Sequence, residues 1–161
     1  MRKKIICLLI PFILVVAFSP SVTGGEAYGG TGHFHQHHLS LFVGNTQEGF
    51  SDYGFSIGAD YEYRFNSLFG LGGTVEYAGG DFEHWLALVQ MVFHPSENWG
   101  IIIAPGTEIK RGEYERDFIF RVGVGYQFHL GETFTIAPVF DIDFSDGETL
   151  VIYGVQFGFG F

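Results

Sequence analysis

Val151-Ile152-Tyr153-Gly154-Val155-Gln156-Phe157-Gly158-Phe159-Gly160-Phe161 decides how this chain is read. Every second residue is apolar, so Val151, Tyr153, Val155, Phe157, Phe159 and Phe161 share one face of an extended strand. Ile152, Gly154, Gln156, Gly158 and Gly160 share the other. A period of two is the signature of β-structure, because successive side chains of a strand point to opposite sides.

The same pattern recurs upstream. In residues 133–144, Phe134, Ile136, Pro138, Phe140, Ile142 and Phe144 oppose Thr135, Ala137, Val139, Asp141 and Asp143. In residues 118–130, Phe120, Val122, Val124, Tyr126, Phe128 and Leu130 oppose Arg121, Gly123, Gly125, Gln127 and His129. In residues 53–65, Tyr53, Phe55, Ile57, Ala59, Tyr61, Tyr63 and Phe65 oppose Ser56, Gly58, Asp60, Glu62 and Arg64. Residues 38–44, 69–78, 84–93 and 99–110 supply four shorter alternating segments. Eight strands are expected over residues 38–161, and the spacing leaves each the ~9–11 residues of a tilted membrane strand plus a turn. Asp146-Gly147, between two alternating runs, reads as a hairpin turn. Pro105 and Pro138 fall inside strands, where each removes a ladder donor. Bulges or frayed strands are expected there.

Composition agrees with an all-β chain and excludes other classes. The 161 residues are 47% hydrophobic, 18% aromatic and 16% charged, which excludes a disordered chain. Nineteen Phe and 24 Gly favour strands over helices. A net charge of −10 excludes a nucleic-acid reader, which needs Lys and Arg for phosphates. One Cys excludes a disulfide framework. No Gly-rich loop between a strand and a helix suggests a nucleotide site.

The first residues read as an export address. Met1-Arg2-Lys3-Lys4 is basic, Ile5 to Phe18 is apolar, and small or polar residues follow, with Gly25 and Ala27 at the −3 and −1 positions of a cleavage site after Ala27. The apolar run is shorter than the ~20 residues of a spanning helix. Residues 1–27 are therefore expected to be a cleaved signal peptide, and residues 28–37 a Gly/His-rich segment ahead of the barrel. Cys7 lies within the signal, so the exported chain would carry no thiol, as suits an oxidising compartment.

Which face turns outward decides the class. An eight-stranded interior is barely wide enough for ordinary side chains, so the Phe-, Tyr- and Trp-rich face cannot fill it. The Gly-rich face suits a crowded lumen. The aromatic face then meets lipid, and a sheet spanning lipid must close. Aromatics gather at strand ends as two girdles are expected to: Phe65, Phe93, Trp99, Phe128, Phe134 and Phe161 at one end, Tyr53, Tyr77, Trp85, Phe118, Phe144 and Tyr153 at the other.

This set resembles small bacterial outer-membrane barrels of the OmpA membrane-domain and OmpX type: an export signal, eight alternating strands and a terminal Phe. The run ending in Tyr153, Val155, Phe157, Phe159 and Phe161 resembles the C-terminal signal read by the barrel-assembly machinery. The resemblance covers residues 38–161. It implies an eight-stranded antiparallel up-and-down transmembrane β-barrel in the outer membrane of a Gram-negative envelope. It further implies a monomer without cofactor, whose partners are outer-membrane lipid and the assembly machinery. Both termini would lie on the periplasmic side, with the turns at Asn66-Ser67, His94 to Asn98 and Gly131-Glu132. The connections around 45–52, 79–83, 111–117 and 145–148 would lie outside. They are short for an adhesin.

Four constellations are candidates for function. By parity the lumen holds Asp60, Glu62, Arg64, Glu76, Glu108, Lys110, Arg121, Asp141 and Asp143. Buried charges must pair or hold water, which gives a filled polar lumen. The sharper alternative is a narrow, low-conductance cation gate with exchanging ion pairs, as the resemblance suggests. His33, His35, His37 and His38 form the second group. His at i and i+2 of an extended chain share a face and suit Zn, Cu or Ni, although a His-rich tract is only compositional. Asp141, Asp143, Asp146 and Glu148 do not match a calcium loop. Last, His84 with Asp81, Glu83 and Ser51 or Ser145 would be the material for a lipid-modifying hydrolase or acyltransferase. That enzyme reading is the runner-up to an envelope role. A soluble lipocalin-like ligand-binding barrel is the third.

Overall fold

The computed structural model describes residues 35–49, 52–110 and 116–161. The signal-peptide assignment for residues 1–27 lies outside them, as do His33 and Ser51. Nine strand segments follow one another: β1 His37–Glu48, β2 Asp52–Arg64, β3 Phe69–Ala78, β4 His84–Ser96, β5 Trp99–Lys110, β6 Arg116–Tyr126, β7 Phe128–Leu130, β8 Phe134–Ser145 and β9 Glu148–Gly160. Each pairs antiparallel with its neighbours in the order β6-β5-β4-β3-β2-β1-β9-β8-β7, and β6 also pairs with β8. The sheet thus closes on itself. β6 and β7 are two pieces of one wall strand, so the wall has eight strands in up-and-down order.

The split has a chemical cause. The β6–β8 ladder stops at Gly125 opposite Val139, and the β7–β8 ladder resumes at Phe128 opposite Ile136. The two unpaired rungs oppose Ala137 and Pro138, and a proline has no N–H to donate. The register is the same on both sides, so the wall is interrupted and not bulged. Pro105 behaves alike: β4 and β5 pair at Leu88–Gly106 and again at Met91–Ile103, missing the rungs between. Of the bulges or frayed strands expected at the prolines, the structure shows interrupted ladders and no bulge. The one register shift in this pair falls between Phe93 and Ser96, beside the turn.

The turns follow local chemistry. Asp146 and Gly147 both take positive φ, 39° and 88°, the conformation a two-residue hairpin of this hand requires. At the opposite end Asn66 Oδ1 accepts from the amides of Leu68 and Phe69 at 2.8 and 2.9 Å, tying the β2–β3 turn. The seam between chain ends is made by His37 and Phe161, whose backbones exchange hydrogen bonds of 3.1 and 2.9 Å.

The two faces sort as the alternation predicts. Leu41, Phe55, Val89, Phe118, Phe157 and many others stand exposed on the outside. The aromatic girdles are present as ring clusters: Trp99, Tyr126 and Phe128 pack at 5.0 and 4.9 Å at the end holding the termini, and Tyr77 and Trp85 at 5.1 Å at the far end. Tyr153, Val155, Phe157 and Phe159 of the carboxyl-terminal motif lie on β9's outward face and Phe161 just beyond its end; all but Val155 are exposed. The lumen is not purely polar, which corrects that expectation. Phe42, Ala137, Val139, Leu150 and Ile152 form one apolar cluster inside, with Phe82 packed on it; Leu86, Leu88, Ala104 and Ile119 form another. Leu86-Ala87-Leu88-Val89 is apolar on both faces, and that break in alternation is the signal of a strand buried on one side and lipid-facing on the other.

Candidate functional site

The lumen is the site, and its charges fall in three tiers. Arg121 of β6 dominates the middle tier. Its Nε and Nη2 donate to the two oxygens of Asp143 at 2.7 and 2.8 Å, a bidentate fork. Nη1 reaches across to Oε2 of Glu76 on β3 at 2.7 Å, and lies 3.8 Å from Asp141. All four side chains are buried. One guanidinium therefore ties β3, β6 and β8 together through the barrel axis. Asp141 fits because Gly123, two residues along from Arg121, has no Cβ to collide with its carboxylate. Oε1 of Glu76 and Oδ1 of Asp141 accept no hydrogen bond among the described residues.

Asp60 lies on the side of this tier nearer the termini. It accepts from Thr74 at 2.5 Å and from Gln156 at 2.9 Å, and Thr74 also bonds Gln90 at 3.1 Å.

The tier at the end holding the termini is built on Glu62. Its Oε1 meets His94 Nε2 at 2.6 Å, and its Oε2 meets Arg64 Nε at 3.4 Å. Arg64 also donates to Gln127 at 3.2 Å, and His94 Nδ1 contacts the carbonyl of Trp99 at 3.2 Å. His94 was expected in a turn. It is instead an inward residue of β4, only 1% exposed, and β4 continues to Ser96. Pro95 between His94 and Ser96 made the segment read as a turn; the phase of Gln90, Val92 and His94 was the signal that places it inside.

The far tier centres on Glu108. His84 Nδ1 lies 2.8 Å from Oε1, and Ser145 donates to Oε2 at 2.8 Å. Lys110 stands at the mouth, a third exposed, within 3.7–3.8 Å of Glu108, Asp117 and Glu148. All nine charges assigned to the lumen by parity thus line it or its mouth.

Among the described residues this geometry does not assemble a nucleophile. Activation of a serine needs its hydroxyl on an imidazole nitrogen. Here Ser145 and His84 both bind the same carboxylate, and His84 Nε2 has no partner among the described residues. Asp81 is engaged elsewhere, accepting from the amide of Tyr53 at 3.1 Å. His84 is also sealed inside the wall, 2% exposed, away from any lipid substrate.

The histidine tract disperses. His37 faces outward, stacked on Phe161 with centroids 5.3 Å apart and bonded to the Tyr61 hydroxyl at 2.7 Å. His38 faces inward onto Thr135 at 3.1 Å, and His35 contacts the carbonyl of Glu132 at 2.6 Å beside the inner side of Gly160. The shared face expected for His35 and His37 is therefore not formed, because His35 precedes β1 and leaves its alternation. Among the described residues no group of three or more His, Cys, Asp or Glu is placed to hold a metal. Asp141 and Asp143 face the lumen while Asp146 lies in the turn, so these acids do not converge either.

A closed eight-stranded antiparallel wall, apolar outside and charged within, defines a small barrel of the transmembrane type. The same fold is found in Ail, the attachment invasion locus protein of Yersinia pestis, at 17% identity, covering 80% of this chain and 100% of that one with a TM-score of 0.57. The N-terminal barrel of Pseudomonas aeruginosa OprF matches at 15% identity, over 78% and 100% of the two chains, with a TM-score of 0.54. Neisserial surface protein A matches at 10% identity, over 78% and 96%, with a TM-score of 0.51. No protein-family model and no curated protein matches the chain.

Proposed function

We propose that this chain is an outer-membrane barrel with a structural role in the envelope, its lumen plugged so that it passes at most a small cation current. The observation that carries the reading is Arg121, which bridges β3, β6 and β8 across the axis through Glu76 and Asp143. Eight strands leave no wide channel, and this bridge with the two apolar clusters fills what remains. The exposed apolar belt supports lipid as the partner of the outer face, and the fold's likeness to outer-membrane barrels supports that location. The outward motif Tyr153, Val155, Phe157, Phe159 and Phe161 serves the barrel-assembly machinery in this reading. A closed wall leaves no free sheet edge for a second copy to pair with, which supports a monomer.

Membrane fractionation with heated and unheated gel lanes tests the proposal. Recovery in the outer membrane, with faster migration unheated, is the expected result. Recovery in the soluble periplasm overturns it.

A further inference from the structure

Asp60 is the one middle-tier carboxylate that Arg121 does not reach. It is 8% exposed and takes hydrogen bonds from two neutral groups, Thr74 and Gln156. Among the described residues no Lys, Arg or His nitrogen lies within ion-pair distance of it. A buried charge without a counter-charge is costly, and proteins resolve it by pairing or by binding a cation. Glu62, next along β2, differs: Arg64 and His94 already offset it.

A cavity of about 40 Å³ opens beside Asp60. That is room for about three water-sized occupants. Ser40, Gln90, Gln127 and Gln156 line it with Asp60, as do His38, His94 and Glu62, the last already offset by Arg64 and His94. Ser40 is 4% exposed and is among the residues lining this space. The lining offers hard oxygen donors, two carboxylates of which only that of Asp60 lacks an ion-pair partner, and no thiol. Such a set suits a small hard cation, and a single uncompensated carboxylate matches a single positive charge.

We propose that this cavity binds one monovalent alkali cation, sodium or potassium, with part of its water, held by Asp60 and Ser40 and the neighbouring side-chain amides. The bound ion offsets the charge of Asp60. It also makes barrel stability depend on the cation supplied, since an ion that binds only the folded state stabilises it.

The test uses the full exported chain folded in detergent micelles. Its heat-modification midpoint is compared in sodium, potassium and choline chlorides at equal ionic strength, because choline is too large for the cavity. The expected result is a saturable rise of about 3 °C or more in sodium or potassium over choline. Asp60→Asn should abolish that rise and melt at least as high as the wild type in choline, having lost the uncompensated charge. If Asp60→Asn does not assemble, Ser40→Ala decides: it should raise the half-saturating salt concentration several-fold. Equal midpoints of the wild type in all three salts overturn the site and leave a proton as the counter-charge. A rise that survives Asp60→Asn, or a half-saturation unmoved in Ser40→Ala, places the ion elsewhere and overturns it equally.

Discussion

Arg121 and Asp143 are register partners on adjacent strands, and they join through a two-pronged hydrogen-bonded ion pair of 2.7 and 2.8 Å inside the wall. The pair is buried, so its removal is not a surface effect. Arg121→Met strands Glu76, Asp141 and Asp143 without a counter-charge, and should cost ~3–5 kcal/mol. Adding Glu76→Gln and Asp143→Asn should recover most of that loss. Urea titration of lipid-reconstituted protein measures both; a single-variant loss below about 1 kcal/mol would contradict the assigned bridge.

In the proposed function the same side chain is the plug. Wild-type protein in planar bilayers should pass negligible or small current, while Arg121→Ala opens a larger, cation-preferring one. The lumen acids Asp60, Glu62, Glu76, Glu108, Asp141 and Asp143 outnumber its fixed cations, and they set the preference. Negligible current in both forms would show that the apolar clusters alone seal the barrel.

Gly72 and Gly58 should respond differently to the same change. A Cβ on Gly72 would run into the backbone carbonyl of Tyr61, which the β2–β3 ladder holds in place. On Gly58 the nearest atoms lie at 3.2–3.4 Å, a tight contact that small shifts absorb. Gly72→Ala should therefore lower stability by ~1–3 kcal/mol or more, and Gly58→Ala by far less. Equal heat-modification midpoints for the two variants would be the contrary result.

Pro138→Ala restores the missing donor opposite Tyr126. An unpaired carbonyl at a lipid-facing wall is costly, so closing the ladder should raise stability by about 1 kcal/mol. Amide exchange around Tyr126 and Gln127 should slow. No slowing would mean that Asn98, which already bonds both the amide and the carbonyl of Gln127 at 2.6 and 2.7 Å, satisfies this stretch.

At the far rim, Glu48 has its carboxyl pushed above the usual range by loss of solvent and by the charges of Glu148 and Asp52. A raised acid holds its proton more tightly folded than unfolded. Stability from this group therefore grows as pH falls through the raised value, and a constant penalty remains at neutral pH. Glu48→Gln should stabilise slightly at neutral pH, and the gain should shrink in acid and in high salt. Unfolding titrations at two pH values and two salt concentrations check it, and a gain that is the same in all four conditions would contradict the assigned repulsion.

Much of this was legible because membrane barrels write both faces into one strand. The eight strands, the outward aromatics and the nine lumen charges follow from parity, and the Asp146-Gly147 turn from its Asp-Gly dipeptide. Parity says which side a residue faces, and nothing about which partner it meets. That Arg121 chooses Asp143 and Glu76, while Asp60 is left to neutral donors, depends on register and shear between strands distant in sequence. His94 was missed because a proline follows it, and the inner apolar clusters because Leu86 to Val89 do not alternate. The gaps at Pro105 and Pro138 arose from a missing donor alone, with no extra residue to make a bulge.

The most direct test of the central claim uses the two tryptophans, which stand exposed on the outer face at opposite rims, Trp85 at the far end and Trp99 at the end holding the termini. Each is followed alone, with the other changed to Phe, in vesicles of lipids brominated at different depths. Both should fluoresce as apolar-site indoles and be quenched, most strongly by bromines placed near the headgroups. Water-like emission without quenching of either would put the aromatic face in solvent and contradict the lipid-facing barrel.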